Sequence, residues 1–185
     1  MSSIEPTTIE AVKIITPRRF GDARGWFSEV YSKKLFDEAG IGLNFVQDNH
    51  SASSTKGTLR GLHFQTPPFA QDKLVRVTRG RILDVAVDLR RSSPTFGQHV
   101  AVELSQENGR QLLVPVGFAH GFCTLEDDTE VLYKVTNYYA PTHDFGLAWD
   151  DPELGIAWPV ASGEAILSEK DRKHPRLADL KWLFE

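Results

Sequence analysis

Two of the six histidines in this sequence lie beside glycines, in segments rich in apolar residues. His63 lies in the segment RGLHFQ at residues 60–65, and His120 lies in PVGFAHGF at residues 115–122. Because its ordinary pKa is about 6.5, a histidine side chain exchanges protons readily near neutral pH and can serve as a general base. A single histidine is more often structural than catalytic, so the role of either one depends on its surroundings.

The spacing of the histidines does not favour a metal centre. Metal-binding β-barrels often use a His-x-His pair, but the residue two positions after His63 is Gln65 and the sequence contains no such pair. A site made of His63, His120 and a carboxylate stays open, although two distant histidines are a weak ligand set. No glycine-rich phosphate loop is present, and the single cysteine, Cys123, is best interpreted as a buried apolar residue. We expect no metal and no cofactor.

Most segments around these residues alternate between apolar and polar positions, which is typical of β-strands. Many short strands at regular spacing predict one antiparallel, all-β domain over residues 1–185, a sandwich or barrel. A tight turn at Gly80, between the predicted strands 73–79 and 81–89, predicts a hairpin. Residues 32–40 alone indicate a helix, with Ser32 as N-cap and Gly40 at the C-terminal end, and a second helix or turn is expected near residues 168–172. The predicted strands are residues 25–31, 45–50, 58–65, 73–79, 81–89, 99–104, 111–114 and 129–139.

Alternation also predicts which side chains share a strand face. Lys73 shares a face with Val75 and Val77, and Tyr133 shares one with its neighbouring valines. These faces place a lysine and a tyrosine where they suit a ligand cavity. Strict alternation puts Arg60 and His63 on opposite faces, so both reach one cavity only if the strand carries a bulge near Gly61.

The composition restricts the partners of the protein. The chain has 185 residues and a formal net charge of −4, from 21 Lys and Arg against 25 Asp and Glu. An acidic balance argues against non-specific nucleic-acid binding, which needs a basic face. No apolar run reaches the length that spans a membrane, and the chain starts without the apolar stretch of a signal peptide. With one cysteine, a reducing compartment is the simplest context, so we expect a cytoplasmic protein.

Several longer motifs resemble those of the dTDP-4-dehydrorhamnose 3,5-epimerase family. They occur in order and at consistent spacing over nearly the whole chain, which makes the resemblance far more specific than any short pattern. The motifs are residues 21–29 (GDARGWFSE), 47–51 (QDNHS), 57–65 (GTLRGLHFQ), 70–76 (AQDKLVR), 93–97 (SPTFG), 114–122 (VPVGFAHGF), 132–139 (LYKVTNYY), 149–152 (WDDP) and 167–171 (LSEKD).

The resemblance implies a cupin-type jelly-roll barrel, with one or two short helices, that works without a metal. The implied activity is epimerisation at C3 and C5 of dTDP-4-dehydro-6-deoxy-D-glucose to dTDP-4-dehydro-L-rhamnose, a step of rhamnose biosynthesis. The hydrogens on C3 and C5 are both α to the C4 ketone. Inversion therefore needs a base on one face of the sugar, an acid on the opposite face and a cation that stabilises the enolate oxygen. His63 matches the family's base and Tyr133 its proton donor. Lys73 would face the C4 oxygen.

Asp171 matches the partner of the base, and Asp84 is the alternative, because strand parity also allows it to point inward. The resemblance further implies a homodimer in which Arg24 and Glu29 serve the neighbouring subunit's pocket. Asp144 stands where the family pattern has a glutamate. The implied substrate-binding residues are Arg24, Glu29, Gln47, Asn49, Arg60, Lys73, His120, Asp144 and Lys170.

Two other functions stay open on the sequence alone. One is epimerisation at a single centre, C3 or C5, of a related dTDP-4-keto-6-deoxy sugar. The other is a barrel that binds a nucleotide sugar without catalysis. Retention of both His63 and Tyr133 favours inversion at both carbons.

Overall fold

Two antiparallel β-sheets make up most of the computed structural model, which describes residues 2–161, 163–181 and 184–185. The helical parts are one α-helix, α1 (Lys33–Glu38), and short 3₁₀ helices at Asp171–Lys173 and Leu177–Asp179. The strands are β1 (Ser3–Pro6), β2 (Lys13–Thr16), β3 (Arg19–Asp22), β4 (Gly25–Ser28), β5 (Gln47–Ser53), β6 (Leu59–Gln65), β7 (Lys73–Arg79), β8 (Arg81–Asp88), β9 (His99–Ser105), β10 (Gln111–Val114), β11 (Phe118–Thr124), β12 (Thr129–Val135) and β13 (Asp144–Gly146).

The strand order shows a jelly roll. The six-stranded sheet has the order β1-β2-β10-β7-β12-β5 and the five-stranded sheet the order β13-β6-β11-β8-β9, while β3 and β4 form a separate hairpin. Neighbouring strands within a sheet are mostly distant in sequence, so the chain crosses repeatedly between the two sheets. The prediction of an all-β, cupin-type jelly roll is confirmed.

The main core lies between the sheets. Val75 and Val131 of the six-stranded sheet pack in one cluster with Ala86 and Phe122 of the five-stranded sheet. Burial of these apolar faces removes them from water and is the main force that holds the sheets together. The polar residues of the candidate site interrupt this apolar layer, so each needs a partner or a function.

The outer face of the five-stranded sheet is also buried. Leu62 and Val85 pack there against Leu154 and Phe184, which come from the C-terminal part of the chain. Because both faces of β8 are covered, its alternating side chains are buried on both sides. Cys123 is fully buried as predicted, and burial raises the pKa of its thiol to about 11.

Helix α1 covers the outer face of the six-stranded sheet through Phe36. The helix ends at Glu38, and Gly40, two residues later, has the predicted left-handed conformation with a φ of 76°, while its N–H donates to the Asp37 carbonyl. Ser32 occupies the predicted N-cap position in an extended conformation, although its hydroxyl makes no capping hydrogen bond. No helix in the described part of the chain is long and apolar enough to cross a bilayer.

Several predicted strand limits are wrong. β12 ends at Val135, because Thr136 turns aside and its hydroxyl donates to the Asp72 carboxylate at 3.0 Å. β4 ends at Ser28 rather than at residue 31, and β5 runs from Gln47 to Ser53 rather than over residues 45–50. The strands β1, β2, β3, β11 and β13 were not predicted. Because β1 and β3 are largely exposed, they show no apolar stripe.

Candidate active site

A bulge in β6 brings two predicted site residues to one face of the sheet. Arg60 lies opposite Phe122 of β11, and His63 lies opposite His120, so β6 has one residue more than β11 over this stretch. The extra residue reverses the alternation between Arg60 and His63. The predicted bulge near Gly61 is confirmed, and both side chains belong to the inner face.

Gly61 is required by the close approach of the two strands. Its φ is 133°, in a region that side-chain-bearing residues rarely adopt. A Cβ at this position would lie 2.5 Å from the Cα of Gly121. The glycine therefore sets the register that orients His63.

His63 forms a hydrogen bond with a buried carboxylate. Its Nε2 lies 2.5 Å from Oδ1 of Asp171, which begins a 3₁₀ helix. The backbone N–H of Asp171 donates to the Ser168 hydroxyl at 3.1 Å, which helps to hold the carboxylate in place. Of the two carboxylates considered from the sequence, Asp171 is the one in contact with His63.

The electrostatics of this pair favour a neutral imidazole beside an ionised carboxylate. Burial lowers the pKa of His63, although Asp171 opposes the shift. Burial alone would raise the pKa of Asp171, but contacts with His174 and His63 hold it well below its ordinary value. Since an ionised carboxylate only accepts hydrogen bonds, Nε2 of His63 carries the hydrogen. Its Nδ1, which bonds no described residue, therefore holds a lone pair that can accept a proton.

A second imidazole–carboxylate pair lies deeper between the sheets. Nε2 of His120 is 2.7 Å from Oδ1 of Asp84, and both residues are buried. The other oxygen of Asp84 is buried without a hydrogen-bond partner in the described chain. Asp84 thus points inward, as strand parity allows, but its partner is His120 rather than His63.

Lys73 places an amine beside the first pair. The residue is 9% exposed and lies on the inner face of β7, as predicted. Its Nζ donates to the carbonyl oxygen of His63 at 3.4 Å. Burial lowers the pKa of Lys73 to about 8, against the opposing effect of Asp144 and Asp84. At neutral pH the amine is still mainly a cation, in a setting where its charge is poorly solvated.

Tyr133 lies on the inner face of β12, opposite Val75 and Asn49 of the neighbouring strands. Burial raises the pKa of its phenol, and Arg60 partly offsets this effect. The hydroxyl forms no hydrogen bond with any residue that the structure describes. It is therefore a protonated donor that remains available to a ligand between the sheets.

Other predicted binding residues form polar contacts of their own. The amide of Gln47 donates to Oδ1 of Asn49 at 2.8 Å on the inner face of β5. The guanidinium of Arg60 in β6 donates to the hydroxyl of Ser53, the last residue of β5, at 3.2 Å. Lys170 forms an ion pair with Asp144 of β13. These polar groups suit a ligand that carries both hydroxyl groups and negative charge.

The comparisons with known proteins identify the family. A family model described as dTDP-4-dehydrorhamnose 3,5-epimerase matches residues 6–179. The chain belongs to this family. A dTDP-4-dehydrorhamnose 3,5-epimerase from Sinorhizobium fredii is 56% identical over 178 residues, which cover 96% of this chain and 91% of that protein.

Two solved epimerase structures have the same fold. The Bacillus anthracis structure, with TDP and PPi bound, is 53% identical with a TM-score of 0.92, covering 95% of this chain and 99% of that one. The Legionella pneumophila structure, in complex with dTDP-4-keto-L-rhamnose, is 46% identical with a TM-score of 0.93. It covers 98% of this chain and 95% of that one.

Within this epimerase fold, Arg24 and Glu29 form no hydrogen bond or ion pair with the other predicted site residues that the structure describes. The Arg24 side chain is 90% exposed in the β3–β4 hairpin and pairs with Asp22 at 2.6 Å. Glu29 is exposed just beyond the hairpin. That these two residues contribute to the pocket of a neighbouring subunit stays a prediction.

Sequence reasoning missed His174. Its ring meets that of His63 edge-on, with centroids 5.5 Å apart, and its Nε2 lies 3.4 Å from Oδ1 of Asp171. No motif or spacing marks this histidine, because its place depends on how the C-terminal segment folds back onto β6 and β13.

Proposed function

We propose that this chain inverts C3 and C5 of dTDP-4-dehydro-6-deoxy-D-glucose, giving dTDP-4-dehydro-L-rhamnose, with His63 as the base and Tyr133 as the acid. The observation that carries the proposal is the arrangement of proton carriers on facing sheets. A neutral imidazole lies on β6, and a protonated phenol with a free hydroxyl lies on β12. A sugar ring between the sheets would have one group on each face.

The chemistry needs no group beyond those of the chain. Nδ1 of His63 accepts the proton from C3 or C5, and the C–H electron pair moves into the C4 carbonyl to form an enolate. The Lys73 ammonium faces the enolate oxygen and stabilises its charge. The Tyr133 hydroxyl then donates a proton to the opposite face of the carbon. Both groups return to their starting states by proton exchange with solvent.

The two carboxylates support their imidazoles in different ways. Ionised Asp171 fixes the tautomer of His63 and stabilises the imidazolium that forms on proton abstraction. Asp84 orients His120, which we assign as a contact to the sugar. The predicted absence of a metal cofactor stays a prediction.

The nucleotide is assigned to the polar groups around the cavity and to a second subunit. The bound TDP and dTDP-sugar in the two solved relatives support a thymidine diphosphate ligand. The homodimer is supported by the hairpin, whose aromatic side chains Phe20, Trp26 and Phe27 are more than half exposed. Arg24 and Glu29 would then complete the partner's pocket. A cytoplasmic location stays a prediction from the single cysteine.

Turnover in deuterium oxide tests the proposal. The wild-type protein is expected to incorporate deuterium at both C3 and C5 of the 4-keto sugar. His63→Asn should abolish labelling at both carbons and leave the affinity for dTDP nearly unchanged. Tyr133→Phe should still incorporate deuterium into the sugar but lose net inversion at one or both carbons. His50→Asn is the matched control, because His50 lies on the surface, 3.1 Å from Glu130.

The labelling pattern separates the alternatives. Label at a single carbon identifies a single-centre epimerase, and tight binding without any label identifies a non-catalytic barrel. Equal labelling by His63→Asn and the wild-type protein removes His63 from the mechanism. Full inversion by Tyr133→Phe moves the acid role to another residue.

A further inference from the structure

The mechanism above leaves one buried imidazole of the site unused. The His174 side chain is 9% exposed, and its Nε2 forms no hydrogen bond with a described residue. The same atom points toward Asp171, at 3.4 Å from Oδ1. A buried nitrogen whose nearest acceptor is this far away is incompletely satisfied, so a bound ligand could give it a better partner.

The fold makes room for this ring at Gly146. Gly146 lies opposite His63 in the β13–β6 pair. A Cβ on Gly146 would lie 2.3 Å from both Cε1 and Nε2 of His174. The His174 ring therefore reaches the His63–Asp171 pair because this position has no side chain.

The three side chains together have the donor set of a zinc site. One ring nitrogen of His63, one of His174 and one carboxylate oxygen of Asp171 all lie within 4.8 Å of one another. Zinc binds imidazole and carboxylate donors at about 2.0–2.2 Å, so two donors on one tetrahedral ion lie ~3.4 Å apart. The most distant pair therefore has to close by as much as ~1.4 Å, and the 2.5 Å contact between Nε2 of His63 and Oδ1 of Asp171 has to open. Two histidines and one carboxylate also leave a fourth position open.

A route for an ion exists beside the triad. A hollow of about 450 Å³ reaches His174 and Gly146 from the side of β13, and its wall contains Asp144 and Asp179 as well as Lys170, Lys173 and Lys181. The nearby Lys73 ammonium opposes a second positive charge, so we expect weaker binding than at a structural zinc site. A hard cation such as Mg²⁺ prefers oxygen donors and would gain little from two imidazoles.

We propose that His63, Asp171 and His174 form an inhibitory site for Zn²⁺ and similar divalent transition-metal ions. Bound at Nε2 of His63, the ion displaces the hydrogen that this atom donates to Asp171. The hydrogen moves to Nδ1, the atom that accepts the substrate proton. No proton is lost, but the lone pair needed for abstraction is gone. The loss of activity rests on the proposed function, in which His63 is the base. Binding of the ion does not depend on that function.

Metal binding and turnover are measured separately on the full chain after treatment with a chelator. Calorimetry with Zn²⁺ and the visible spectrum of added Co²⁺ should show one ion per chain with nitrogen ligands. Turnover should fall at least tenfold when Zn²⁺ saturates the site, and Mg²⁺ should have no effect. His174→Ala should retain measurable turnover without metal, so that inhibition can still be tested, and should bind Zn²⁺ at least tenfold more weakly. His174→Gln, which fills similar space, should do the same if the alanine variant folds poorly.

A matched control removes the exposed histidine of another histidine–carboxylate pair. His50→Ala, at the His50–Glu130 pair, should bind Zn²⁺ like the wild-type protein. Equal Zn²⁺ affinity in the wild-type and His174 variants, or no binding by the wild-type chain, overturns the site. Binding with undiminished turnover overturns its inhibitory role. Absence of turnover in the metal-free wild-type protein counts against the proposed function and leaves the binding result intact.

Discussion

The buried ammonium of Lys73 should lower the stability of the folded protein, and the size of this effect follows from its pKa. Burial shifts the pKa from 10.5 in the unfolded chain to about 8. A shift of about 2.5 pH units corresponds to ~3 kcal/mol at 1.36 kcal/mol per unit. The pKa is lowered in the folded state, so the unfolded chain binds more protons between these two values. The free energy of unfolding therefore rises with pH through this window.

Lys73→Met removes the charge and keeps most of the side-chain volume. We expect the variant to be more stable than the wild-type protein by about 3 kcal/mol at pH 7, and by about 1 kcal/mol at pH 9.5. Epimerisation should fall by about 100-fold or more, because the enolate oxygen loses its cation. Urea unfolding followed by tryptophan fluorescence measures the stability, at equal chain concentrations because association also stabilises the fold.

Lys134→Met is the matched control on the neighbouring strand. Lys134 points outward and pairs with Asp48 at 2.8 Å, so its removal should change stability by less than about 1 kcal/mol. A gain of equal size at pH 7 and pH 9.5 for Lys73→Met would mean that methionine packing, not charge, is responsible. A loss of stability at pH 7 would refute the reasoning, because the carboxylates around Lys73 would then outweigh the cost of burial.

Three further substitutions test the geometry of the site. Asp171→Asn removes the charge that opposes the lowering of the His63 pKa, so kcat should fall about 100-fold and the acid limb of the pH profile of kcat/KM should move to lower pH. Asp84→Ala leaves His120 without its partner and should lower the free energy of unfolding by about 3 kcal/mol in urea titrations. Gly61→Ala forces a Cβ to within 2.5 Å of the opposite strand, and should cost about 2 kcal/mol in the same titrations and reduce turnover.

Each of these expectations has a clear contrary result. An acid limb that stays in place in Asp171→Asn would separate this carboxylate from the ionisation of His63. A fully stable Asp84→Ala would show that the buried pair is dispensable for folding. An active and fully stable Gly61→Ala would show that the bulge tolerates a side chain.

Strands with one buried face were predictable from the sequence. β7 and β12 alternate, and this pattern correctly places Lys73 and Tyr133 on faces lined by valines. β11 is buried along its whole length, so its composition carries no alternation. No strand was therefore predicted over the residues that contain His120.

The contacts within the site were only partly predictable. The bulge at Gly61 was predicted correctly, because strict alternation over four consecutive residues would put Arg60 and His63 on opposite faces of the strand. The alternation of side chains along the strands did not decide whether Asp84 or Asp171 contacts His63, since this contact depends on how segments far apart in sequence pack together. The family resemblance favoured Asp171, and no local pattern did so.

The 108 residues that separate His63 from Asp171 have a consequence for protein synthesis. While the chain emerges from the ribosome, the strands that carry the lysine and the phenol are made well before the segment with the carboxylate partner. A truncated polypeptide would thus contain most of the pocket but lack the anion that holds the histidine proton in place. It would also lack Phe184, which seals the outer layer of the same sheet. Activity and completion of the fold consequently arise together, so incomplete chains should be inert as well as easily degraded.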